Sequence, residues 1–146
     1  MGRVIGGVLV AVLVSVLAAL TLNTLAGLVF PPPRIDNVRN LEAVTAAMAT
    51  RSTGNILLTS ANFFVAALIG AWAGVAVARR TWVAWVAGGT MLLFALAGIL
   101  TFTTPGWAIA IALAGPVAAA LIVRHLAVSR LGAAADAPQS AAHEKL

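Results

Sequence analysis

Apolar residues fill four runs, 4–30, 56–78, 82–102 and 107–126, and short polar breaks separate them. A helix crosses the ~30 Å hydrocarbon core of a bilayer with about 20 residues, so each run is a membrane-spanning candidate. The first run would be roughly 40 Å long at 1.5 Å per residue, so it is expected to tilt or to project beyond the membrane. A secretory signal peptide starting at Arg3 is the rival reading. Its apolar core would be about 7–15 residues and end at a small-residue cleavage site, so this longer run fits an uncleaved first helix better.

The breaks have their own signals. Pro31, Pro32 and Pro33 lack the N–H groups a helix needs and predict a stiff polyproline spacer. Between 36 and 53, Leu41, Val44, Ala47 and Met48 recur at three- and four-residue spacing, with Asn40 placed to cap them. That predicts a short amphipathic helix on the membrane surface or over the bundle, with Arg39, Glu42 and Arg51 off its apolar stripe. Ser52-Thr53-Gly54-Asn55 reads as a turn. Arg79-Arg80-Thr81 has room only to reverse the chain, so the second and third long helices form an antiparallel hairpin. Thr103 to Gly106 turns the chain again. Pro116 should kink the fourth helix and release the carbonyl of Ala112, with Gly115 easing the bend. The fold class is therefore all-α: a four-transmembrane-helix bundle, residues 1–127, with a short amphipathic helix in its first outer loop. The alanine-rich tail, 128–146, is expected to be disordered.

The stretch 62–80 predicts how its helix packs. At about 100° per residue, Phe64, Val65, Leu68, Trp72 and Val75 fall on one side, while Ala66, Ala67, Gly70, Ala71, Ala73, Gly74 and Ala78 spread over the other. Close backbone approach drives helix association in lipid, so the small side is expected to face protein and the bulky side lipid. Gly70 and Gly74 form a G-x-x-x-G motif. It can serve the bundle itself or a homodimer, and Gly88, Gly89 and Gly98 in the next helix, which offer it a matching small surface, favour the bundle. Asn23 and Asn62 each lie about seven residues from the same end of their antiparallel helices. Thr24, Ser60, Thr101 and Thr103 lie near that level. This polar layer predicts interhelical hydrogen bonds worth ~0.6 kcal/mol each. The functional alternative is a small pocket opening outwards, for a lipid headgroup or small solute.

Composition agrees with the pattern. The chain of 146 residues is 62% hydrophobic and 9% charged. A soluble domain is nearer 45–50% and about 25%. The net charge is +5. Its basic residues sit at helix ends and in loops, where they act on topology and anionic headgroups, so nucleic acid is not an expected partner. Arg3, Arg79, Arg80, Arg124, Arg130 and Lys145 fall on one side of the membrane, and Arg34, Arg39 and Arg51 on the other. The positive-inside rule then places both termini in the cytoplasm. Trp82 and Trp85 mark the inner interface and Trp107 the outer one.

Candidate chemistry is sparse. There are no cysteines, so thiolate catalysis and Cys-ligated metals are excluded. The central parts of the four runs carry no ionisable residue of the kind that marks proton relays. His125 lies at a helix end and His143 in the tail. Asp36, Glu42, Asp136 and Glu144 lie in loops or the tail, and helix capping or pairing with Arg34 or Arg39 explains the first two. No catalytic, cofactor or metal site is expected.

The order of features resembles a group of small, uncharacterised four-helix bacterial inner-membrane proteins. The resemblance rests on Pro31-Pro32-Pro33, the short helix 41–50, Gly70 and Gly74 followed by Arg79-Arg80, and Pro105-Gly106-Trp107. A proline before the second long helix, expected in that group, is replaced here by Ser52-Thr53-Gly54. The resemblance implies a fold and a bacterial inner-membrane location but no activity. The expected role is a non-enzymatic component that packs with membrane lipids, a membrane-protein partner or a second copy. The alternative is a small oligomeric transporter or channel, not proton-coupled, because the first helix has only Ser15, Thr21, Asn23 and Thr24 as polar residues.

Overall fold

Caps and breakers decide where each helix begins and ends. The computed structural model describes residues 1–31, 33, 39–102 and 104–143, with 130–143 as backbone only. Among these residues the chain is all-helical. Helix α1 (Gly2–Val29) closes with the Phe30 N–H donating to the Ala26 carbonyl at 2.8 Å, one residue before the prolines. Helix α2 (Leu41–Ala49) starts at Asn40, whose Oδ1 accepts from the N–H groups of Glu42 at 3.0 Å and Ala43 at 3.4 Å, as a cap should. Val44, Ala47 and Met48 are half-buried while Leu41 stays exposed. Pro32 of the polyproline spacer lies outside the described residues, as do Arg34 and Asp36 and any pairing between them.

Helix α3 (Thr53–Ala78) begins three residues earlier than the pattern predicts. Ser52 is its N-cap, with Oγ accepting from the Asn55 N–H at 3.3 Å. The four residues read as a turn are thus a cap and a first helical turn. At its other end Arg79 adopts the left-handed conformation, φ 51° and ψ 36°, and its N–H closes onto the Val75 carbonyl at 2.8 Å. A single 3-10 turn, Thr81–Val83, leads into helix α4 (Ala84–Thr101). Helix α5 spans Gly106–His143, and its membrane-competent part ends at Ser129. The helix is unbroken at Pro116, which is fully buried, with its carbonyl against Gly88 of α4.

Four segments, Gly2–Val29, Thr53–Ala78, Thr81–Thr101 and Gly106–Ser129, are long and apolar enough to cross a membrane. The chain is a multi-pass membrane protein. Helix α3 is the hub, packed by α1, α4 and α5, and its span is 44% buried against 17% for α1. This corrects the two-faced reading of α3. Ala66, Ala67, Gly70, Ala71, Gly74 and Ala78 are buried as expected, but so is Val75. Leu68 packs on both hydrophobic clusters, and Phe64 on one of them. A helix with neighbours on three sides has no full face left for lipid, so its bulky residues fill core as well. Trp72 keeps the expected exposure.

Candidate functional site: a cavity between α1, α3 and α4

The seam between α1 and α3 runs in four-residue steps on both helices. A Cβ added at Gly7 would strike the Cβ of Ala78, one at Gly74 would lie 2.6 Å from the Cβ of Ala11, and one at Gly70 would collide with Ser15. Gly7, Ala11 and Ser15 therefore interlock antiparallel with Ala78, Gly74 and Gly70. Ser15 is fully buried yet satisfied, because its Oγ donates to the Ala11 carbonyl of its own helix at 2.6 Å. The partner of the G-x-x-x-G motif is thus α1, not α4. Gly88 faces α5 instead, with an added Cβ 3.0 Å from the Pro116 carbonyl oxygen. Gly89 and Gly98 would meet nothing within 4 Å. The missed signal was the small-residue spacing of Gly7, Ala11, Ser15 and Ala19 in a helix otherwise crowded with leucine and valine.

Further along the same seam the small residues give way to amides. Asn62 Nδ2 donates to the Ala19 carbonyl at 2.9 Å, and Asn55 Nδ2 to the Phe30 carbonyl at 2.9 Å. Both asparagines are buried. They tie α3 to the backbone of α1, not to another side chain. Asn62 Oδ1 is enclosed without a hydrogen-bond partner. Asn23 lies one turn beyond Ala19, exposed, on the wall of a cavity that Asn62 also lines. Thr101 is apart from both: it is exposed, and its hydroxyl donates to the Ala97 carbonyl of its own helix at 2.7 Å. Of the expected polar layer, Asn23, Ser60 and Asn62 line the cavity, while Thr101 does not. Thr103 lies outside the described residues.

The cavity measures about 410 Å³ and lies between α1, α3 and α4 at the Arg51 end of the bundle. That volume falls in the range of small-molecule sites, ~300–1,000 Å³. Its apolar walls include Val16, Phe63, Met91, Ile99 and Phe102. Leu20 of α1 and Phe94 of α4 are lining residues that are also exposed, so the cavity is open towards the membrane between those two helices. Gly98, idle as a packing residue, lies on its α4 wall.

One wall carries a polar track. Arg51, Asn55, Thr59 and Asn62 follow one another at spacings of four, four and three, so they share one side of α3 and its leading turn, and all four line the cavity. That spacing was readable in the sequence, but the assignment of residues 52–55 to a turn cut the track in two. Arg51 is half-buried at one end of the cavity lining. Its Nε donates to the Met48 carbonyl at 3.1 Å, and its guanidinium carbon lies 6.0 Å from the Phe102 ring centroid, within cation–π range. Burial lowers the pKa of this guanidinium, and an arginine stays charged at neutral pH nonetheless. Chemically the arrangement offers a fixed cation, neutral amides and a hydroxyl along an apolar wall.

No protein-family model, no curated protein and no solved structure matches this chain.

Proposed function

We propose that this protein is a non-enzymatic component of a bacterial inner membrane that works by holding a membrane lipid or a membrane-protein partner. The observation that carries the reading is the cavity of about 410 Å³. It combines an apolar wall with neutral hydrogen-bonding groups and one cation, which suits retention of an amphiphile. The family resemblance supports the bacterial inner membrane as its location. The distribution of lysine and arginine supports cytoplasmic termini, with Arg51 and its end of the cavity on the outer side. Trp82 and Trp85 near the arginine hairpin, and Trp107 at the other end, are exposed where aromatic belts would anchor the bundle.

Gentle extraction tests the role. The protein purified in mild detergent is expected to retain a stoichiometric lipid or protein companion. Ion or solute flux through vesicles containing the protein, with nothing retained, would favour the small transporter or channel instead. Labelling tests the orientation: with Thr50→Cys and Ser129→Cys introduced separately, an impermeant reagent added outside should label only the first. The reverse pattern would invert the topology.

A further inference from the structure

We propose that the cavity holds one acyl chain of an anionic phospholipid, with the lipid phosphate beside Arg51. This rests on the lipid-holding reading above and names the lipid class.

The chain end of the ligand follows from where the cavity opens. Exposed Leu20 and Phe94 lie on its lining, so its mouth between α1 and α4 meets bilayer hydrocarbon. The solvent at that depth is acyl chain, and an apolar cleft open to it fills with acyl chain. The cavity lines α3 from Asn55 to Phe63, a depth of about 12 Å at 1.5 Å per residue. The headgroup-proximal part of one chain fits such a slot lengthwise, and the rest of the chain lies in the bilayer.

The headgroup end follows from charge. Arg51 is the only cationic side chain among the described lining residues, and it stands at the end of the slot, two residues before α3 begins. Its Nε is committed to the Met48 carbonyl and its plane is near Phe102, which holds the side chain in place and leaves its Nη groups as the remaining donors. A side chain already fixed loses little entropy on binding. The N-terminus of α3 adds positive potential at the same level. A phosphate is favoured there, and the ammonium of a zwitterionic headgroup is not.

Native mass spectrometry of the full chain in non-ionic detergent tests this, with phosphatidylglycerol, phosphatidylcholine and a free fatty acid of matched chain length as probes. The native sequence is expected to bind one phosphatidylglycerol about tenfold or more tighter than phosphatidylcholine, because both carry the phosphate but only phosphatidylcholine brings a second positive charge beside Arg51. Arg51→Gln should bring the two lipids to parity, and Arg51→Lys should keep the preference. Gly98→Leu should weaken both lipids about tenfold or more by filling the slot. A Cβ at Gly98 meets nothing within 4 Å, so this variant is expected to fold, and circular dichroism checks it. If Gly98→Leu weakens binding but Arg51→Gln leaves the preference intact, the anionic headgroup is refuted while the lipid-holding reading stands. If Gly98→Leu binds like the native sequence, the slot is not the site. Tighter binding of the fatty acid than of phosphatidylglycerol, or a second copy of the chain in place of lipid, would overturn the assignment. A native chain that retains neither lipid nor protein would overturn the broader reading as well.

Discussion

Helix α3 is two different helices along its length. Towards the arginine hairpin it presents Gly70, Gly74 and Ala78 to Gly7, Ala11 and Ser15 of α1, at distances that leave no room for one extra carbon. Towards Ser52 it presents Asn55, Thr59 and Asn62, and there α1 and α4 part around a cavity. The first region is held by dispersion between closely approached backbones. The second is tied to α1 by two amide-to-carbonyl bonds, at Phe30 and Ala19. Small residues pack backbone against backbone at one end, and larger, directional contacts at the other end allow a space to remain. Glycines show the same contrast: Gly74 is required by contact, whereas Gly98 faces emptiness.

Substitutions should split along that line. The largest effect belongs to the seam. Gly74→Leu is expected to destabilise the bundle by about 3 kcal/mol or more, because the Cβ of Ala11, the Gly7 carbonyl and Val83 surround the site. Unfolding in detergent measures it, and a cost under about 1 kcal/mol would break the contrast. Next comes Leu68→Ala, expected to cost about 2 kcal/mol because Leu68 joins both hydrophobic clusters. Leu13→Ala should cost less than about 0.5 kcal/mol, since Leu13 is 60% exposed and lipid replaces it.

At the hairpin, Arg79→Gly is expected to stabilise the fold by about 1 kcal/mol, because a side chain at φ 51° crowds its own carbonyl. Loss of stability there would mean that the Arg79 side chain contributes more than the strain costs. The smallest effect concerns the amides. Asn62→Leu removes the bond to Ala19 but also the unpaired Oδ1, so a net change below about 1 kcal/mol is expected. Asn23→Leu should add to it independently, because Asn62 bonds a carbonyl of α1 and not Asn23. Strong coupling in a double-mutant cycle would restore a direct pair.

Local signals were legible in the sequence and tertiary ones were not. The lengths of the four apolar runs, the Asn40 cap and the tight reversal at Arg79-Arg80 depend on a few neighbouring residues. The start of α3 was misplaced because Gly54 and Asn55 are poor helix formers by themselves. Their helical conformation is supported from elsewhere, with Asn55 bonded to the Phe30 carbonyl and Gly54 lying under the Phe30 ring. The small face of α3 was legible, but its partner was not, since α1 and α4 both offered small residues. Periodicity also gave α3 a lipid face that its central position denies to Val75 and Leu68. The level of Asn23 and Asn62 was readable from antiparallel geometry, while their partners depended on helix rotation. Thr101 fell outside for the same reason: it shares a level with the cavity but not a face.

The most direct test places the same substitution on two glycines of the two regions. Gly70→Leu and Gly98→Leu add an identical side chain within membrane-spanning helices, and their thermal unfolding in one detergent can be compared side by side. Gly70→Leu should lose most of its cooperative unfolding transition, because Ser15 and the Ala11 carbonyl occupy the space its side chain needs. Gly98→Leu should unfold at or above the native temperature, because the cavity accepts the new side chain and a helix gains by losing a glycine. Equal losses for the two variants, or a Gly70→Leu protein as stable as the native one, would contradict the division into a close-packed seam and an open slot.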